Sequence, residues 1–239
     1  MTHRKRLAAP DSWPLERKNR VYTVGSQAGP HGGDAVPLVV FVRDVLEYAA
    51  TAKEVRYALH DDEILVNGDA VDDHRRPIGT FDIVAFPSRD EHYRVFPGEG
   101  GRLSLTPVEE DAAGDKLARV DDKTDVAGGA TQLDLHDGAT LRLDDAEQYA
   151  PKDSVVVALD DGEIVHHFPF EEGKAVTAVD GQHSGEVGAI AAYTVTEGSN
   201  PNIVEVERGD GSSFETIDDY VFVIGEDLES LEEQEAGEA

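Results

Sequence analysis

The chain has 239 residues, with 21 Lys and Arg against 50 Asp and Glu, a formal charge of −29. Sequence-neutral affinity for nucleic acid rests on Lys and Arg neutralising phosphates, and this composition excludes it; zero cysteines likewise exclude a disulfide framework, thiolate zinc sites and a cysteine nucleophile. Apolar residues make up 39%, enough to bury cores, so the chain is not a disordered acidic polymer.

The surplus carboxylate runs through every segment, and Arg outnumbers Lys 14 to 7. At 1 M salt the Debye length is about 3 Å, so such a surface loses little to self-repulsion. Even spread therefore predicts a surface made for concentrated salt rather than one acidic face for a basic partner. Only Leu7-Ala8-Ala9 separates the basic start from Pro10, too short for a signal-peptide core, and no run of about 18 apolar residues follows. The expectation is a cytoplasmic protein that does not enter a membrane.

Residues 1–35 read as a basic arm and a glycine-rich linker. The first 20 carry Arg4, Lys5, Arg6, Arg17, Lys18 and Arg20 against Asp11 and Glu16, whereas the remaining 219 carry 15 bases against 48 acids. In an acidic chain that arm is the anomaly, suited to folding on a polyanion. Trp13, the only Trp, points to a segment that docks.

Residues 36–90 read as a small helix-helix-hairpin module. Leu38, Phe41, Val42, Val45, Leu46 and Ala49 follow Pro37 at the spacing of one helix face. Thr51 with Glu54 is a capping-box signature for a second helix, with Val55, Ala58 and Leu59 inward and Lys53 and Arg56 outward. Ile64 to Val71 forms a hairpin on Asn67-Gly68, and Phe81 to Phe86 another strand.

From residue 91 the pattern is β, with Asp-Gly turns near residues 137, 161 and 210. The expected divisions are a central β domain over 91–171, a small barrel over 172–225 and a disordered acidic tail over 226–239. Nucleotide, dinucleotide, zincin and serine-hydrolase motifs are missing. His166-His167 with Glu171-Glu172 is a poor metal set, because adjacent strand residues face opposite ways. Gly181, Gly185 and Gly188 follow an apolar strand, as though the backbone must pass close to a partner.

Taken in order, these segments resemble the archaeal and eukaryotic "e" type of small-subunit ribosomal protein four, here in a halophilic form. The blocks are Arg6-Leu7-Ala8-Ala9-Pro10-Asp11-Ser12-Trp13, Pro37 through Ala49 with Thr51 and Glu54, Tyr93-Arg94-Val95-Phe96 with Thr106-Pro107, the Gly181/Gly185/Gly188 loop and Tyr220 through Gly225. The resemblance implies an α+β, multi-domain fold: the small RNA-binding module, a β-rich central domain and a KOW-type, SH3-like barrel. It implies no enzymatic activity and 16S rRNA as partner within the small subunit; neighbouring small-subunit proteins are the further expected partners, no cofactor is expected beyond K⁺ or Mg²⁺ ions associated with RNA, and nothing in the sequence suggests a homo-oligomer. The acidic tail stands where relatives continue into a basic extension, and Asp69, Asp72 and Asp73 stand in a hairpin region that is usually more basic.

The expected RNA-binding set is His3, Arg4, Lys5, Arg6, Trp13, Arg17, Lys18 and Arg20 on the arm, with Arg43, Lys53, Arg56, Arg75 and Arg76 as a second patch. Gly181, Gln182, His183, Ser184, Gly185 and Gly188 form the KOW-type loop. A freestanding protein that binds RNA or assists its modification is the alternative reading, and a halophilic hydrolase a remote one.

Overall fold

The computed structural model describes residues 3–33 and 35–225, so the expected disordered tail, 226–239, lies outside the described residues. Within them strands dominate and helices are few and short, so the α+β expectation holds in its β-rich part and the chain is mostly β, in several small sheets. The described residues gather into two compact units, 3–33 and 35–96 with 102–116 and 157–163, and 97–101 with 117–156 and 164–225.

In the first unit, β1 (His3–Lys5) pairs antiparallel with β2 (Tyr22–Val24). Then β3 (Val36–Pro37) leads into α1 (Leu38–Val40), which widens into a π-helical turn over Phe41–Val45. The predicted helix to Ala49 ends there, because Leu46 N donates to Phe41 O and Glu47 takes φ 55°. Leu38 to Val42 are all buried while Val45 is exposed, so this segment is apolar all round instead of along one stripe.

The second helix, α2 (Ala52–His60), starts as expected: Glu54 N donates to Thr51 Oγ1, and Glu54 Oε2 accepts from Ala50 N at 2.7 Å. Hairpin β4 (Leu65–Val66) and β5 (Asp69–Ala70) turns on Asn67 and Gly68, both at positive φ. Strand β6 (Pro77–Ile78) pairs with β3, and β7 (Ile83–Phe86), β8 (Glu91–Pro97) and β9 (Leu103–Val108) complete a sheet of order β5-β4-β7-β8-β9. A short α3 (Glu110–Ala113) follows. Trp13 is 1% exposed in a core with Val36, Leu38, Phe41, Val55, Leu59 and Val84; burying it contributes about 3 kcal/mol. The arm is therefore part of the fold.

Strand β7 begins two residues later than the sequence predicts. Phe81 is fully buried at φ 67°, edge-on to Phe96, and Asp82 N donates back to Gly79 O. That left-handed phenylalanine turns the Asp82 carboxylate inward, 2% exposed, where it accepts from Lys116 Nζ at 2.6 Å, Asn67 Nδ2 at 2.8 Å and Gly79 N at 2.9 Å, with His31 Nε2 at 2.8 Å. Burial pushes this carboxyl upward, but the charges of Lys116 and His31 outweigh it and hold Asp82 well below the usual carboxylate range.

The second unit holds two five-stranded sheets, except that Asp115 and Lys116 of one strand and Val157 and Ala158 of another belong to the first. β10 (Asp115–Asp125), β11 (Thr131–Leu135), β12 (Thr140–Leu143), β13 (Ser154–Ala158) and β14 (Ile164–Phe168) take the order β12-β11-β10-β13-β14. β15 (Ala175–Ala178), β16 (Val187–Thr194), β17 (Ile203–Glu207), β18 (Ser213–Ile217) and β19 (Val221–Val223) take the order β18-β17-β16-β15-β19. The last sheet encloses Val176, Ala178, Ile190, Val204, Val206, Phe214, Val221 and Val223. Among the described residues, no helix is long and apolar enough to cross a membrane.

Candidate nucleic-acid interface

The arm's bases divide into two groups. Arg6 is 3% exposed, and its Nη1 donates to Glu16 O at 2.7 Å and Asn19 Oδ1 at 2.8 Å. Arg17 Nη2 donates to Pro10 O at 2.7 Å and meets Asp11 at 2.6 Å. These two hold the arm in shape. Strand alternation in β1 leaves His3 and Lys5 exposed and Arg4 half-buried, its guanidinium 5.5 Å from the Trp13 ring centroid. Lys18 and Arg20 are exposed.

The second patch comes from three elements. Arg43, on the π-helical turn, is fastened to Asp44 at 3.1 and 2.5 Å, and Asp44 also lies 3.7 Å from Arg6. Lys53 and Arg56 are exposed on α2. Arg75 is tied to Asp73 at 2.6 Å; the hydrogen bond it gives holds that carboxyl low and raises its own guanidinium. Arg76 is half-buried, its carbonyl accepting Leu38 N. His74 lies where these charges meet: burial lowers its imidazole first, Asp73 opposes that, and the fields of Arg56, Arg75 and Arg43 lower it further. Arg43, Arg56 and Arg75 all lie within electrostatic reach of His74, alongside Asp73.

Other bases serve the fold. Arg94 donates to the carbonyls of Ala112 and Asp115, and burial brings it down to about 10 against the opposing charge of Asp115. Arg119 donates to Asp121 and to the carbonyls of Asp219 and Val221, with its guanidinium over the Phe222 ring. Lys123 caps the carbonyls of Ala146 and Tyr149, Arg142 that of Ala127, and Lys152 pairs with Asp219. In the second unit these cations are bound to the chain's own oxygens.

The glycine loop runs from β15 to β16. Gly181 takes φ 80° and Gly185 φ 86°; a Cβ on Gly185 would lie 2.9 Å from Pro97 O. Gly188 sits inside β16, where a Cβ would fall 2.4 Å from Glu207 O. For Gly188 the close partner expected from sequence is therefore the neighbouring strand of its own sheet. Gln182 is exposed, His183 stacks on Phe214 at 4.3 Å with Nδ1 2.9 Å from Glu186, and Ser184 is buried. His167 is engaged by Asp153 at 2.7 Å, and His166 is exposed.

Tyr57 and His60, both exposed on α2 beside Lys53 and Arg56, were missing from the expected set. Their signal was the i, i+3, i+4, i+7 spacing of positions 53, 56, 57 and 60 on a helix already predicted. The inward pair of Asp82 and Lys116, 34 residues apart, had no sequence signal.

The chain is similar to known proteins over nearly its whole length. The profile of "Ribosomal family S4e" matches residues 89–164, and that of the "RS4NT (NUC023) domain" matches residues 2–34. The chain is 56% identical over 227 residues to "Small ribosomal subunit protein eS4" of Natronomonas pharaonis, covering 95% of this chain and 96% of that one. The protein of the same name from Haloarcula marismortui is 54% identical, at 95% and 97% coverage. The crystal structure of the 30S ribosomal protein S4e from Thermoplasma acidophilum superposes with a TM-score of 0.68 at 29% identity, covering 80% of this chain and 95% of that one. The class is thereby set: a structural protein of the ribosomal kind, not an enzyme. The chain belongs to the S4e family, that of small ribosomal subunit protein eS4.

Proposed function

We propose that this chain is a structural constituent of the small ribosomal subunit in the cytoplasm, binding 16S rRNA through its arm and its helical module and adapted to high salt. The observation that carries this reading is the 56% identity over 227 residues to small ribosomal subunit protein eS4 of Natronomonas pharaonis, joined to the exposed bases Lys53 and Arg56 on α2 and Lys5, Lys18 and Arg20 on the arm of a chain of net charge −29. Residues 36–90 act as the RNA-binding module, 91–171 as the central β domain and 172–225 as a KOW-type, SH3-like barrel. On the arm, His3, Lys5, Lys18 and Arg20 reach phosphates, while Arg6 and Arg17 hold the shape that presents them. Gln182 and the exposed glycine backbone beside it face RNA or a neighbouring ribosomal protein.

High salt dictates the mechanism. Counterion release is largely gone at molar KCl, so affinity comes from shape, directed hydrogen bonds, stacking and burial. Arg suits that better than Lys, since its planar fork binds phosphate bidentately and stacks. Asp73 and Asp44 preorient Arg75 and Arg43, and K⁺ or Mg²⁺ bridges the remaining acids to phosphates.

Arg56 provides a clean test, because it is exposed on α2. Arg56→Gln in the full chain is expected to weaken binding to 16S rRNA and to reduce the slope of log affinity against log KCl by about 1. Affinity and slope equal to those of the unaltered chain contradict the assignment.

A further inference from the structure

We infer that Tyr57 is a base-stacking residue: its ring, on the outer stripe of α2, takes the face of one unpaired nucleobase, while Lys53, Arg56 and His60 hold the flanking sugar-phosphate. This rests on the RNA-binding reading above and adds a contact of a different kind to it.

Positions 53, 56, 57 and 60 recur at i, i+3, i+4 and i+7, which places them on one stripe of α2, and all four side chains are exposed. The buried stripe of the same helix holds Val55 and Leu59, so Tyr57 is not needed for packing. Tyr57 is 60% exposed, with the Lys53 ammonium over one face of its ring, 5.6 Å from the centroid. None of these four positions is a carboxylate in a chain with 50 of them, and Asp61, four positions after Tyr57, is the C-cap that ends the helix. Glu54, the acid of the first turn, is occupied at the helix start by Ala50 N and Thr51 Oγ1.

Cations beside an exposed aromatic ring, with Lys53 over one face and the other face left for a base, are complementary to a polyanion that also offers flat faces, which is the chemistry of a single-stranded or looped nucleic acid. An acidic protein surface would satisfy the cations and leave the ring unmatched. Salt strengthens the case: at molar KCl the attraction of Lys53 and Arg56 for phosphate is screened within a few ångströms, about 3 Å at 1 M, whereas stacking on a π-face is not.

The test uses the full chain and 16S rRNA at multimolar KCl, with Tyr57→Leu, Tyr57→Phe and Arg56→Gln, and base-resolved chemical probing of each complex. Leu is a good helix former at an exposed site, and unchanged urea midpoints exclude unfolding as the cause. Tyr57→Leu is expected to weaken binding roughly 5- to 150-fold without changing the salt slope, and to deprotect one base. Tyr57→Phe is expected to bind like the unaltered chain. Equal binding by Tyr57→Leu, or Tyr57→Phe as weak as Tyr57→Leu, overturns the stacking role. So does a loss that appears only when other ribosomal proteins are present, with no base changing reactivity. If Tyr57→Leu is silent while Arg56→Gln weakens binding, stacking alone fails; if both are silent in affinity and slope, the RNA-binding reading fails with it.

Discussion

Lys116→Met is expected to destabilise the chain by about 3–5 kcal/mol, the range for removing one partner of a buried ion pair. The ammonium lies 2.6 Å from Asp82 Oδ1, with the two side chains 7% and 2% exposed. Without it the carboxylate stays fixed by Gly79 N and Asn67 Nδ2 and loses its closest cation. Asp82→Asn in the Lys116→Met background restores neutrality and is expected to recover part of the loss, a coupling that a double-mutant cycle in urea measures. The pH dependence has a definite sign. Asp82 is held well below its unfolded value, so the unfolded chain binds the proton first. Its contribution is full above about pH 4, the unfolded carboxyl value, and is lost as pH falls further toward the folded pKa. Stability independent of pH below 4, or matching slopes for the unaltered chain and Asp82→Asn, contradicts this assignment.

Gly188→Ala is expected to cost about 2–3 kcal/mol, as an overpacked strand does. A Cβ there meets Glu207 O at 2.4 Å, Val206 Cγ1 at 2.7 Å and Glu207 C at 3.0 Å, and two of these are backbone atoms of the adjoining strand β17. The sheet itself has to move. Gly209 is the control, since its added Cβ has nothing within 4 Å, and Gly209→Ala is expected to leave the urea midpoint nearly unchanged. Equal midpoints for the two variants would show that Gly188 is not required by the fold, leaving the loop's glycine spacing to be explained by a bound partner.

Local chemistry was the legible part of this sequence. The Asn67-Gly68 turn, the Thr51 and Glu54 cap, and the outward Lys53 and Arg56 depend on residues a few positions apart, and each stands where expected. The first helix is shorter than its periodicity predicts, because Val39 and Val40 are enclosed as well as the expected stripe and Glu47 takes a left-handed turn. Arg6 looked like one of six equivalent bases of the arm; only the folded chain brings Glu16 O, Asn19 and Asp44 around it. The Asp82 cluster draws on positions 31, 67, 79 and 116, separations at which no short pattern operates. Order along the chain still carried the family, because several weak blocks in sequence are specific where each alone is not.

Sedimentation of native lysate on a sucrose gradient at multimolar KCl, followed by RNA crosslinking, tests the proposed function most directly. The account predicts that the chain travels with intact small subunits and crosslinks to 16S rRNA through the arm and the surface around Arg43 and Arg56. Recovery only at the top of the gradient, with subunits intact, contradicts it.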